Sequence, residues 1–286
     1  MYSKVGKSCD ADTRACFLSS CRKPWLYIVV FICIFLGCAV AMLMPEASNT
    51  VVYHDGGAVI DASHADQGYI MIARPSNKPQ KLRITLGKAN LTYDLNSDGI
   101  MEVFPLQLGS GNYKVEIFEQ VSGKKFSPGA AVNIPVEITD PNTVYLYPNQ
   151  YVWYNENSPA VAKSMEICAN ATTDAAKVEA VYRYILENMV YDYNFAAEVT
   201  SGKNKGYLPS VDRTIATNTG VCFDFSALMA CMLRSQGIAT QMGIGYADKT
   251  YHAWNYILID GTWYQYDITT VICQGTVKKY TPERVY

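Results

Sequence analysis

The chain has no surplus of positive charge. Its 24 lysines and arginines stand against 26 aspartates and glutamates, a formal net charge of −2 over 286 residues, so the basic footprint that nucleic-acid binding needs is missing. Histidine is scarce, with three in all. No CxxC and no His/Cys ligand spacing points to zinc, nothing suggests another cofactor, and no internal repeat organises the chain. What is present is an apolar fraction of 49% beside 17% charged residues, the balance of a folded protein with a real core. The length predicts two modest domains.

Charge is also missing from one long stretch. Trp25 to Met44, WLYIVVFICIFLGCAVAMLM, carries none, and at the α-helical rise it is long enough to cross the hydrocarbon core. Lys4, Lys7, Arg14, Arg22 and Lys23 precede it, and the next cation is Arg74. The positive-inside bias therefore puts the N-terminus in the cytosol and the rest outside the membrane. A cleaved signal peptide is the alternative, although the apolar run and its charged head are both long for one. Leu36-Gly37-Cys38 resembles a lipobox, but apolar residues continue past it. The expected organisation is a cytosolic tail over 1–23, an anchor over 24–45, an all-β Ig-like sandwich over 46–148 and a catalytic domain over 149–286.

The sandwich is read from short β-rich runs separated by Gly, Pro, Asn and Asp: GYIMIAR, KLRITLG, IMEVFPLQL, NYKVEIFEQ, AVNIPVEI and TVYLY. Within it, Asp94-Leu95-Asn96-Ser97-Asp98-Gly99 imitates the start of a calcium loop. The position for the bidentate Glu is Pro105, so a turn between strands is expected and no metal. His54 and His64 have no partners at useful spacing and read as structural.

In the second domain Asp174 is placed to cap a helix whose Val178, Val181, Tyr182, Ile185 and Met189 follow helical spacing. Val199 to Gly220 reads as a surface loop with room for a short helix. After Gly220, Phe225, Leu228, Met229, Met232 and Leu233 mark one face of a helix that Arg234 suits at its last turn and Gly237 stops. Cys222 falls in the first turn, where unpaired N–H groups and the positive end of the helix dipole favour thiolate over thiol. Asp224, a like charge nearby, is expected to cap backbone N–H groups instead. Cys231, in mid-helix, reads as core filler.

A thiolate needs a base, and the second domain has a single histidine, His252. Asp260-Gly261 between alternating runs is a strong hairpin signal, pairing Ile259 with Thr262, Leu258 with Trp263, and onward to Trp254 with Asp267. Residues two apart on a strand share a face, so His252, Trp254 and Asp267 emerge together, with Asp267 diagonal to His252 and close enough to hold the imidazole N–H. Trp254 and Tyr193 are candidates for walls of a substrate groove. Trp254, Trp263 and Tyr264 read first as packing residues, and Tyr191 and Tyr193, candidates for a second oxyanion donor, read first as core or groove lining.

GVCFDFSALMACMLRSQGIAT, then YHAW, then DGTWYQYDIT resembles the transglutaminase-like superfamily of papain-like thiol enzymes over roughly Thr172 to Thr269. The resemblance implies an α+β papain-like fold, with Cys222 as nucleophile, His252 as general base and acid, and Asp267 as orienting carboxylate. The family's usual DPT is Asp267-Ile268-Thr269 here, and no calcium site is evident. With Cys222 so assigned, Cys168 and Cys273 are the better spare pair for a disulfide. The implied protein is an extracytoplasmic cysteine protease or amidase on a single-pass anchor, acting on a cell-wall or surface peptide or protein. Protein-glutamine transamidation, or a non-catalytic binding or assembly module, is the alternative.

Overall fold

The structure is a computed structural model that describes residues 42–204 and 206–286. The expected anchor over 24–45 lies outside these residues apart from its last four, and no described helix is long and apolar enough to cross a membrane.

Eight strands come first. β1 (Val52–Asp55) and β2 (Ala58–Asp61) close on Gly56-Gly57, both at positive φ, which only glycine adopts without strain. β3 (Tyr69–Ala73), β4 (Gln80–Leu86), β5 (Ala89–Leu95), β6 (Glu102–Pro105), β7 (Gly111–Ser122) and β8 (Lys125–Val136) follow. They form two antiparallel sheets, ordered β1-β2-β3-β6 and β5-β4-β7-β8. Period-two alternation turns Leu82 and Ile84 of β4, and Tyr113, Val115 and Ile117 of β7, into one core with Ile60, Ile70, Ile72 and Phe104 of the other sheet. The Tyr113 hydroxyl lies 2.8 Å from the Leu106 carbonyl and 2.7 Å from that of Gly109.

Five of the six expected runs contain these strands. The sixth, TVYLY, is instead a 3-10 turn over Thr143–Leu146. Asp140 initiates it, with Oδ1 accepting from Asn142 N–H and its carbonyl from Thr143 N–H; this local turn chemistry overrides the β preference of the residues that follow. The Asp94–Gly99 segment is the end of β5 and a turn, with Asp98 Oδ1 accepting from Ile100 N–H. His64 is tied to the Ser48 hydroxyl and Gln67.

The second half begins with α1 (Pro159–Cys168) and α2 (Asp174–Asn188). The cap of α2 is Thr173, whose hydroxyl accepts from Ala176 N–H at 3.2 Å, and Asp174 is one residue inside. β9 (Val190–Tyr191), α3 (Tyr193–Thr200), α4 (Val211–Thr217) and β10 (Thr219–Gly220) lead into α5 (Cys222–Arg234). The expected loop thus holds the end of α3, all of α4 and β10. β11 (Thr240–Ala247), β12 (Thr250–Ile259), β13 (Thr262–Tyr266), α6 (Ile268–Ile272) and β14 (Tyr280–Val285) complete the fold, with an antiparallel sheet ordered β13-β12-β11-β14.

Every residue of α5 from Asp224 to Arg234 is buried, not one face alone. Its second face carries Ser226, Ala227, Ala230 and Cys231, small enough to let α1, α2 and α4 close around it while β11 and β12 cover the rest. Arg234 is fully buried and donates to the carbonyls of Thr240 at 2.9 Å, Tyr147 at 2.7 Å and Tyr286 at 3.0 Å. It ties the helix, the end of the β-strand region and the last strand together, and residues 42–286 belong to one compact unit.

Candidate active site

The start of α5 is built by β10, which pairs in parallel with β9 and delivers Val221 as the N-cap. Asp224 folds back over this entry. Its Oδ2 accepts from Val221 N–H at 3.0 Å and its Oδ1 from Arg213 Nη2 at 3.1 Å. A Cβ at Gly220 would lie 2.7 Å from that of Asp224, so only glycine leaves room for the cap. Burial raises the Asp224 carboxyl, against the lowering effects of the Val221 N–H and the Arg213 guanidinium. The carboxylate near Cys222 therefore does the capping the sequence predicts. Cys222, half-buried, takes the next position, where a helix N–H has no intrahelical acceptor.

His252 comes from β12. The hairpin has the expected register, from Ile259 opposite Thr262 to Asn255 opposite Tyr266, and Asp267 follows at once as the N-cap of α6. His252 Nε2 lies 2.9 Å from Asp267 Oδ2. The side chains are only 11% and 5% exposed, so water screens the pair weakly. Burial alone would lower the imidazole pKa, but the hydrogen bonds and charges of Asp267 and Cys222 override it and push it up to about 10. Asp267 occupies Nε2, which leaves Nδ1 as the ring nitrogen outside that pair. Burial works to raise the Asp267 carboxyl, yet His252 and Thr270 hold it below its ordinary value.

Three positions escaped the sequence reading. Asp267 Oδ2 also accepts from the Thr270 hydroxyl and from the Tyr280 hydroxyl at 2.8 Å, and Oδ1 accepts from Thr270 N–H at 3.0 Å. Asn255, fully buried, donates to the carbonyl of Ser226 at 3.0 Å and so clamps β12 to α5. Thr270 was discoverable, being the third residue after a capping aspartate. Tyr280 and Asn255 had no local signal, since each acts across a long sequence separation.

A cavity of about 390 Å³ opens over Cys222 and His252. Neither proposed wall residue lines it. Trp254 is fully buried, its ring stacked 6.4 Å from that of His252 and tilted against that of Tyr280 at 5.0 Å, because β14 covers the face on which it emerges. Tyr193 starts α3 with 68% of its surface exposed and packs on Tyr191 at 4.9 Å. The cavity is walled instead by Tyr151, Tyr207, Phe223, Ile244 and Tyr251. All four described cysteines are free, the Cys168 and Cys273 pair included, and Cys231 is buried as expected. Among the described residues no group of His, Cys, Asp and Glu is arranged to hold a metal.

Residues 161–268 match the Transglutaminase-like superfamily. They form a transglutaminase-like domain. The match runs from α1 to the residue after Asp267 and spans Cys222 and His252, so the described residues form β-sheets followed by an α+β transglutaminase-like domain. No curated protein matches the chain. Among solved structures, a candidate cysteine protease from Cytophaga hutchinsonii is similar at 19% identity over 72% of this chain and 71% of that one, TM-score 0.39. A TGase matches at 16% identity over 57% of this chain and 47% of its own, TM-score 0.37. The periplasmic domain of TgpA from Pseudomonas aeruginosa matches at 13% identity over 80% and 96%, TM-score 0.36.

Proposed function

We propose that the transglutaminase-like domain is a thiol enzyme that cleaves peptide or protein amide bonds through Cys222, His252 and Asp267. One observation carries the reading. A buried imidazole is held at 2.9 Å by a carboxylate, and it lines one cavity with the half-buried Cys222 of a helix start, whose sulfur helps push its pKa up. A structural histidine has no need of that arrangement beneath an open cavity.

The Cys222 sulfur attacks the amide carbonyl carbon, and the Cys222 N–H receives the developing oxyanion. Collapse breaks the carbon–nitrogen bond, the amine leaves with the proton of His252 Nδ1, and a thioester remains. Water then gives a proton to the same nitrogen and attacks the thioester, releasing the carboxylic acid and restoring the thiolate and imidazolium. Asp267 keeps the ring oriented throughout. Transfer to an amine would use the same residues, but needs a route that admits the amine and excludes water. Hydrolysis is the simpler outcome.

Incubating the full-length chain with a peptide library and a labelled amine, followed by mass spectrometry, tests this. Cleaved or deamidated peptides, absent with Cys222→Ala, are expected. Amine incorporation would assign transamidation, and no product in any channel would leave a binding module.

The proposal includes an N-terminal anchor over 24–45 with everything beyond it outside the membrane, on the strength of Trp25–Met44 and the five cations before it. Release by detergent but not by salt is expected, and a mature N-terminus near Cys38 or Glu46 would overturn it. We further assign 46–148 to an Ig-like sandwich and 149–286 to the catalytic domain. In support, β2-β3-β6 and β5-β4-β7-β8 follow the strand order of such sandwiches, and Tyr113 bonds the carbonyls just upstream as a tyrosine corner does.

A further inference from the structure

Among the described residues the wall of the cavity is mostly aromatic and aliphatic, with Asn204 contributing a neutral amide. Arg284 of β14 is, apart from His252, the one ionisable basic group among the described residues that line it, and no described carboxylate lines it. Its direction is set by strand pairing. Ile244 of β11 faces Ala253 of β12 on one side and Arg284 on the other, and directly opposed residues share a face of a sheet. All three line the cavity. The register then slips between Ile244 and Gly245, leaving Glu283 without a partner on β11. Such a bulge re-aims the neighbouring side chains, and Glu283 does not line this cavity although it adjoins Arg284.

Burial works to lower the guanidinium's pKa, and the tyrosine hydroxyls around it, that of Tyr286 first, hold it above its ordinary value. Among the described residues no carboxylate lies within ion-pair distance of it, and its hydrogen bond is a long one of 3.4 Å to the Tyr251 hydroxyl. The cation thus stands at the edge of an apolar pocket of about 390 Å³, within the size range of small-ligand sites. Arginine's planar fork suits a carboxylate in two-point contact, and the rings of Tyr151, Tyr251 and Phe223 provide apolar surface beside it.

We propose that Arg284 selects acidic peptides, binding a substrate carboxylate near the amide that Cys222 attacks. The inference rests on the thiol-enzyme reading above and deepens it. The carboxylate could come from an acidic side chain or from the end of the peptide; the chemistry is the same, and the experiment separates the two.

The first measurement needs no known substrate. Iodoacetate and iodoacetamide are similar in size, release iodide when the same sulfur attacks their methylene carbon, and differ by one negative charge. Their second-order labelling rates at Cys222 are read by mass spectrometry on the full-length chain. The iodoacetate to iodoacetamide ratio is expected to be about tenfold higher in the wild type than in Arg284→Gln, the size of one partly screened charge-assisted contact. Arg284→Lys, which keeps the charge, should retain most of the preference. Labelling of the fully buried Cys231 reports any unfolding of the variants, and should the Gln variant unfold, the Lys variant and suppression of the wild-type ratio by salt decide in its place. Equal ratios in wild type and Arg284→Gln, or a wild-type ratio indifferent to salt, overturn the proposal. Failure of Cys222 to label faster than Cys273, or indifference to His252→Ala, would instead refute the thiol-enzyme reading.

Four peptides then identify the source: Glu or Gln inside the sequence, each with a free or an amidated C-terminus. Preference for Glu assigns a side-chain carboxylate, and preference for the free terminus an end-directed enzyme. Equal cleavage of all four overturns the proposal.

Discussion

At the scale of single residues, the site turns on where one proton resides. Nε2 of His252 is committed to Asp267, so in the proposed reaction proton exchange with sulfur and substrate falls to Nδ1. With the imidazole pushed up to about 10, kcat for amide hydrolysis should fall as pH rises through that value, where the acid that protonates the leaving amine is lost. A pH–rate profile checks this, and a flat profile to pH 11 would contradict it. Stability follows the same group. A histidine whose folded pKa is raised contributes fully below its unfolded value near 6.5 and loses that contribution as pH climbs through about 10. Asp267→Asn should leave the fold intact yet lower kcat on the order of a thousandfold, because an amide no longer stabilises the imidazolium. Tyr280→Phe removes one of the donors to Oδ2 and should cost less than about tenfold, with the alkaline limb of the profile displaced. The sequence supplied Cys222, His252 and Asp267 through spacing and hairpin register. It did not supply Tyr280, which reaches the carboxylate only because β14 returns alongside β11.

At the scale of elements, the helix and the sheet are held at a working distance by polar contacts that periodicity does not encode. Asn255 spans from β12 to the backbone of α5. Gly245 lets β14 approach β11, since a Cβ there would sit 2.2 Å from the Thr281 carbonyl oxygen and 2.7 Å from the Glu283 nitrogen. Gly245→Ala should therefore destabilise the protein by about 1–3 kcal/mol as overpacking does, measured by urea unfolding. It should also weaken the iodoacetate preference by displacing Arg284. Unchanged stability would mean that β14 is free to move away. Element type was legible wherever turn residues bounded an alternating run, as for β3, β4, β7 and β13. It failed at Thr143–Leu146, where Asp140 imposes a turn, and at β1 and β2, whose pairing depends on the Gly56-Gly57 corner.

At the scale of the whole molecule, the β-sheets and the transglutaminase-like half share one buried cluster that runs from Ala58 to Tyr286. Tyr93 meets Tyr286 with ring centres 6.0 Å apart, and Gln107 donates to the Val285 carbonyl at 3.0 Å. Unfolding should accordingly be a single transition, with tryptophan fluorescence and far-ultraviolet circular dichroism coinciding. Arg234→Met, which strips the donor from three buried carbonyls, should lower the whole transition by about 3 kcal/mol or more. Two separated transitions would show the halves to be independent. By itself the sequence determined the apolar N-terminal run, the strands between turn signals, the helix that starts at Cys222 and the register that puts Asp267 beside His252. These follow from residues near one another in the chain, where turn geometry and side-chain period leave few choices. Tertiary structure alone decided that α5 is buried on all sides, that Trp254 backs the imidazole rather than walling the groove, and that Arg284 faces the cavity. Each of these depends on segments brought together over long separations, and burial is a property of what covers a residue, which the residue's own neighbours in sequence do not specify.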